Sequence, residues 1–209
     1  QFLDSLLSQT YSNIEIICMN DGSTDSSGEI LNLYSDKDSR VKFISQENRG
    51  AEVARRRALS LCSGKYVMFC DSDDWYESEM CEKMVQAIES SNTDIVMCKA
   101  NLIYETDDKG NEENYYFDCD YSGKKPITED LIYEINPLLW NKIFKREIIN
   151  KYGITFPESR NIRVAWDGFF VLEYLLDSHE IFFLDEKLYN FRIREGSLIG
   201  EILRGGSKN

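Results

Sequence analysis

Tyr66-Val67-Met68-Phe69, running into Cys70-Asp71-Ser72-Asp73-Asp74-Trp75, is the stretch that decides how this chain is read. A short apolar run reads as a buried strand, and the carboxylates at its end add nothing to packing. In an extended segment alternate residues share a side, so Asp71 and Asp73 are expected to face one ligand, their backbones about 6.5 Å apart. Two anions that close repel, and one takes up a proton unless a cation or hydroxyl donors compensate. Hard oxygen ligands at a strand end, with room for water and phosphate, suit Mg²⁺ or Mn²⁺. Alone, the motif is also consistent with an acidic turn that caps the next helix, since Asp is a good N-cap.

A second loop has the same form. Ile14-Glu15-Ile16-Ile17-Cys18-Met19 reads as a strand that empties into Asn20-Asp21-Gly22-Ser23-Thr24-Asp25. Ser26-Ser27-Gly28-Glu29 then fits a capping box opening a helix with Ile30, Leu31, Leu33 and Tyr34. Taken singly, Asn20-Asp21-Gly22 is a tight turn on local grounds. Two polar loops at equivalent strand ends imply one crevice, where open α/β sheets bind ligands.

The pattern extends outward. A helix with Phe2, Leu3, Leu6 and Leu7 ends near Thr10; strands follow at Ile14–Met19, Val41–Ser45, Tyr66–Cys70 and Asp94–Lys99. Between them lie helices reaching about Asp36, carrying Ala51, Ala54, Ala58 and Leu61, and carrying Met80, Met84, Ala87 and Ile88. Such alternation predicts an α/β fold, a mostly parallel central sheet flanked by helices. The second half differs. Leu102–Glu105 and Tyr115–Phe117 suggest an antiparallel excursion, helices are expected at Thr128–Ile135, Arg146–Tyr152 and Gly168–Leu176, and a last strand at Ile181–Arg192.

Composition sets limits. The 209 residues suffice for one domain with a real core, and 42% hydrophobic residues are typical of a globular chain. A formal charge of −13 argues against a nucleic-acid partner and against general attraction to anionic membrane. The six cysteines include no C-x-x-C pair and read as small buried hydrophobes in a reducing compartment. With one histidine, His179, and no ligand spacing, a zinc site is not expected.

The motifs together resemble family 2 glycosyltransferases. They are Asn20–Asp25, Asn48-Arg49-Gly50 with Ala54-Arg55, Asp71-Ser72-Asp73-Asp74, Trp140–Arg146, Trp166-Asp167, and Tyr189-Asn190-Phe191-Arg192 with Gly196-Ser197. The resemblance covers nearly the whole chain and implies the A-type nucleotide-diphospho-sugar transferase fold. It implies a single domain over 1–203, with a nucleotide-binding half (1–100), an acceptor half (101–203) and a flexible tail (204–209). Members usually open with a further strand before the helix that here begins at Gln1 or Phe2. The chain therefore looks truncated; if that strand is absent, a sheet edge is left unpaired, and aggregation or pairing with a second chain, as in a homo-oligomer, would follow.

The resemblance also implies roles for the site residues. Asp21 would accept a hydrogen bond from the nucleobase. Asp71 would contact the ribose or, with Asp73, the metal (Mn²⁺ or Mg²⁺). Arg55 would help hold the nucleotide, and Arg192 and Arg194 would close over the diphosphate; arginine's planar fork suits phosphate. Trp140-Asn141-Lys142 would border the acceptor. Asp167 would be the catalytic base, although Trp166 stands where the family often has an acid, and an Asp there is equally a helix N-cap. The implied activity is inverting transfer from a nucleoside-diphosphate sugar, a UDP-sugar by preference, to a hydroxyl of a glycan or lipid-linked acceptor. The expected location is cytoplasmic, or peripheral at the inner face of the membrane. A sugar-nucleotide pyrophosphorylase and a non-catalytic nucleotide-binding module of a larger synthase are the alternatives.

Overall fold

The computed structural model describes residues 1–104, 121–157 and 166–194. Its first half alternates: α1 (Phe2–Leu7), β1 (Ile16–Asp21), α2 (Ser27–Lys37), β2 (Val41–Gln46), α3 (Ala51–Leu61), β3 (Tyr66–Met68), β4 (Trp75–Tyr76), α4 (Met80–Ser91) and β5 (Ile95–Tyr104). The second half adds β6 (Gly123–Pro126), α5 (Glu129–Glu134), β7 (Lys142–Lys145), α6 (Arg146–Tyr152), α7 (Trp166–Leu176) and β8 (Glu180–Ile193). Residues 102–104 of the expected antiparallel excursion extend β5; Tyr115–Phe117, Gly196-Ser197 and the 204–209 tail lie outside the described residues.

The helices follow their apolar spacing. Met80, Met84, Ala87 and Ile88 are all buried along α4, which stops at Asn92 in the left-handed region (φ 51°). The hydroxyl of Thr128 accepts from the Leu131 amide and caps α5. The capping box expected at α2 does not form: Ser26 makes no side-chain cap bond, and the Ser27 amide donates to Asp25 Oδ1 instead (3.0 Å).

The sheet corrects the expectation. β1 and β2 form a parallel pair of their own, while the larger sheet runs β3-β7-β5-β8-β4, with β6 also on β8. Within that larger sheet only β5 and β8 are parallel; β3–β7, β5–β7, β4–β8 and β6–β8 are antiparallel. The central sheet is therefore mixed, not mostly parallel. β7 explains why. It is a four-residue buried segment whose apolar run carries no mark of direction, and it enters between β3 and β5, which alternation alone would make neighbours.

Two cores support the sheet. One gathers α4, β5, Trp140 and Tyr189; the other gathers Phe144, Phe156, Phe170 and Tyr174. In the second, the rings of Phe69, Phe144, Phe156 and Phe170 pack with centroids 4.8 to 6.0 Å apart. β1 and β3 each keep one edge without a strand partner among the described residues. Both line a cavity of about 710 Å³, together with Leu31 and Tyr34 of α2 and Ala54 and Ala58 of α3. Glu15 ties the start of β1 to the start of β3: its Oε1 accepts from Ser63 Oγ and the Gly64 amide, both at 2.8 Å.

Candidate active site

The carboxylates after β3 sit on a turn, not on an extended segment. The Asp74 amide donates to the Asp71 carbonyl at 3.1 Å, closing four residues on themselves. Alternation along a strand therefore does not bring Asp71 and Asp73 together, although both remain half-buried and line the cavity. Asp74 turns inward and is 1% exposed. Its Oδ2 accepts from the Tyr189 hydroxyl (2.6 Å) and its Oδ1 from the Arg192 amide (2.8 Å). Burial nevertheless pushes its carboxyl up to about 7.

Arg55 joins this turn to α7. Its Nη2 lies 2.7 Å from Asp71 Oδ1 and its Nη1 lies 2.8 Å from Asp167 Oδ1. Asp167 stands in the first turn of α7, and its carboxylate is spent on Arg55 rather than serving as a plain N-cap. Burial raises the Asp167 carboxyl above its ordinary range; Arg55 and Lys142 oppose that shift, and Asp71 adds to it. Burial works against the Arg55 charge too, but Asp71 and Asp167 outweigh it and raise its pKa. The guanidinium is thus the cation that two neighbouring acids require.

Asp21, at the end of β1, serves the backbone. Its Oδ1 accepts from Gln46 Nε2 (2.7 Å) and the Arg49 amide (2.9 Å), its Oδ2 from the Gly50 amide (2.8 Å). Burial opposes ionisation there, but these bonds outweigh it and lower the pKa. Gly22 (φ 74°) lets the loop pass close by, since a Cβ there would stand 2.7 Å from the Asn48 amide nitrogen. Asp21 still lines the cavity, as do Arg192 and Arg194.

Arg192 is engaged within the fold. Its Nε donates to the Asp73 carbonyl (2.8 Å), Nη2 to the Gln1 side chain, and its guanidinium lies 4.9 Å from the Trp75 ring centre. Arg194 is exposed at the mouth. Trp140, Asn141 and Lys142, expected to border the acceptor, are instead buried at 2%, 0% and 0% exposure. Lys142 Nζ donates to the Asn136 and Leu138 carbonyls and to Asn141 Oδ1, at 2.7 to 2.8 Å, so its charge braces a turn.

A family model for glycosyl transferase family 2 matches residues 1–170. The chain belongs to that family. It is 31% identical over 198 residues to a putative glycosyltransferase, EpsH, of Bacillus subtilis (strain 168), covering 94% of this chain and 57% of the relative. It is 35% identical over 210 residues to the glycosyltransferase GlyA of Streptococcus pneumoniae serotype 4, covering 94% of this chain and 29% of that protein. It therefore spans about half the length, or less, of these curated relatives. Among solved structures, S. aureus TarS 1-349 in complex with UDP-GlcNAc superposes with a TM-score of 0.78 at 24% identity, covering 95% of this chain and 56% of that one. This likeness establishes a shared α/β fold.

Family membership directs attention to a divalent cation, and the residues present fit one only in part. Among the described residues no group of three or more His, Cys, Asp or Glu side chains converges. Asp71 and Asp73 are two hard oxygen donors, and Asp71 Oδ1 is already committed to Arg55. Mg²⁺ and Mn²⁺ accept such a sparse protein set when waters and substrate phosphates complete the shell. The donor set fits a cation that arrives with a diphosphate.

Three residues here escape a reading of the sequence. Asp74 and Tyr189 lie within motifs that assign them no role, and Glu15 lies in a strand with no mark of a site. Asp74 carries no local mark that sets it apart from Asp71 and Asp73, since its inward turn is held by Tyr189 and Arg192. Nothing local marks Tyr189 or Glu15, whose hydrogen-bond partners lie at least 115 and 27 positions away. No described helix is long and apolar enough to cross a membrane.

Proposed function

We propose that this chain carries an inverting transfer of a sugar from a nucleoside-diphosphate donor, a UDP-sugar, to a hydroxyl of a glycan or lipid-linked acceptor. The observation that carries the reading is the single guanidinium shared by Asp71 and Asp167. It holds the donor-side carboxylate and the base within reach of one small substrate, as a displacement at one carbon requires.

Asp167 takes the proton from the acceptor oxygen as that oxygen bonds to the anomeric carbon from the face opposite the diphosphate. The carbon–oxygen bond to phosphate breaks, its electron pair leaves with UDP, and the configuration inverts. A bound Mn²⁺ or Mg²⁺, held by Asp71 and Asp73, would offset the charge on the departing diphosphate. Arg194, at the cavity mouth, adds positive charge there, and Arg192 does so if it exchanges Gln1 and the Asp73 carbonyl for phosphate oxygens. Asp21 shapes the base end of the site through the loop it holds. Support for a UDP-sugar comes from the UDP-GlcNAc complex of TarS, and for a cation from the more distant mannosyltransferase PcManGT, solved with GDP-Man and Mn²⁺. A polymer acceptor is suggested by the 30% identity to a poly(ribitol-phosphate) beta-glucosyltransferase of Bacillus spizizenii. The protein would act in the cytoplasm or at the inner membrane face.

The test is calorimetric titration of UDP with and without Mn²⁺, on wild type and Asp73→Asn. Metal-dependent binding that the substitution abolishes is the expected result. Equal binding by both proteins would remove Asp73 from the site, and turnover of a UDP-sugar separates transfer from nucleotide binding alone.

A further inference from the structure

The buried phenol of Tyr189 touches both ends of the acidic turn. Its oxygen donates to Asp74 Oδ2 at 2.6 Å and accepts from the Asp71 amide at 3.3 Å. The turn is closed between those same two residues by the Asp74 amide and the Asp71 carbonyl. We propose that Tyr189 is a positioning residue: its hydroxyl fixes the turn that aims Asp71 and Asp73 at the donor diphosphate and its cation. This role rests on the proposed donor site.

The surroundings make the phenol a rigid reference point. Tyr189 is 0% exposed. Its ring stacks on Trp140 (centroids 4.4 Å apart, planes 19° apart) and leans on Tyr76 at 5.7 Å. Its backbone is paired on both sides, to Tyr76 of β4 and Ala100 of β5. Burial first, then the nearby acidic groups, raise the phenol's pKa far above its ordinary value, so it remains a donor at any working pH. A hydroxyl held in this way leaves the turn little freedom. Without it, the Asp74 carboxylate and the Asp71 amide would each lose a partner, and Asp74 is too deep to find water without moving the turn. Asp74 thereby acquires a different part from its two neighbours: they face the cavity, and it is the post to which they are tied.

The experiment compares Tyr189→Phe with Tyr76→Phe in purified protein. Tyr76 is the right control. It is also a buried phenol, 5% exposed, and its hydroxyl donates to the Phe69 carbonyl (2.8 Å) rather than to the turn's ends. Both variants keep their rings and so their packing. UDP affinity in the presence of Mn²⁺ is measured calorimetrically well below the melting temperature, with amide hydrogen exchange followed over residues 69–76. Loss of a residue that orients metal-facing carboxylates should weaken UDP–Mn²⁺ binding by about 10- to 100-fold. Tyr189→Phe should show that loss with faster exchange at Asp71 and Asp74, while Tyr76→Phe leaves affinity unchanged. Wild-type affinity in Tyr189→Phe, or equal weakening in both variants, would overturn the proposal. Wild type that fails to bind UDP with Mn²⁺ would bring down the donor reading and, with it, the role in aiming carboxylates. Unchanged exchange at Asp71 and Asp74 in Tyr189→Phe would refute the clamp itself, whether or not nucleotide binds.

Discussion

Arg55 Nη1 lies 2.8 Å from Asp167 Oδ1, two residues 112 positions apart in the chain. Because the other end of the same guanidinium holds Asp71, a ligand that engages Asp71 changes the electrostatics felt by Asp167. Asp167→Asn keeps the shape and a hydrogen-bond acceptor for Arg55 but removes the base. Transfer should fall by about 10²- to 10⁴-fold, the usual worth of a positioned proton acceptor. UDP affinity should be retained, and steady-state kinetics beside calorimetry will read the two separately.

Arg55→Gln removes the cation that opposes the burial-driven rise of the Asp167 carboxyl. The base works only when deprotonated, so activity is lost as pH falls through its pKa. Without Arg55 that pKa moves further up, and the acid limb of the kcat/KM profile should shift to higher pH. Arg55→Lys, retaining the charge without the fork, should lie between the two. A limb that stays in place in both variants would separate Arg55 from the base.

Two carboxyls should shape stability with opposite signs. For Glu15, burial opposes ionisation, but bonds from Lys42, Ser63 and Gly64 win and bring its pKa down to about 2. Its contribution is complete above the unfolded value near 4.5 and lost as pH falls toward 2. Asp74, raised to about 7 by burial, holds its proton where the unfolded chain has released it, so its contribution fades as pH rises from about 4 through 7. Urea unfolding across pH 3 to 8 should show Glu15→Gln costing about 2 kcal/mol at neutral pH and flattening the acid side. Asp74→Asn should flatten the neutral side.

The edges of β1 and β3 without a strand partner among the described residues flank a cavity lined by Leu31, Ala54 and Ala58 as well as by Asp21, Arg55, Asp71 and Asp73. A free strand edge accepts an extended peptide by strand addition. A peptide with alternate apolar residues should raise the melting temperature. It should also protect Cys18 and Cys70, which line the cavity, from alkylation at alkaline pH. Burial holds both thiols above their ordinary pKa, Cys18 at about 11, so labelling is slow at the outset and slows further on binding.

Local pattern reveals the elements and hides their assembly. Helix α6 and the strand-to-loop changes at Asp21 and Asp71 are legible because apolar period and turn chemistry are written into neighbouring residues. The reversed direction of β7 is not, because Lys142-Ile143-Phe144-Lys145 reads the same in either sense. The site residues emerge through resemblance, which names Arg55 as a nucleotide holder without revealing that it bridges two acids. The inward turn of Asp74 depends on Tyr189 and Arg192, and no window along the sequence contains all three.

The mixed sheet also fixes the order in which this protein can mature. β8 borders β4, β5 and β6, and it supplies the phenol and the amide that hold the acidic turn. Contacts of such long separation form late, since the intervening chain must first be closed into a loop. A nascent chain extending only through α6 would possess every carboxylate of the turn and neither of its β8 anchors. Competence would come with β8, so a lesion in 180–193 should behave as an assembly defect felt at residues synthesised more than a hundred positions earlier.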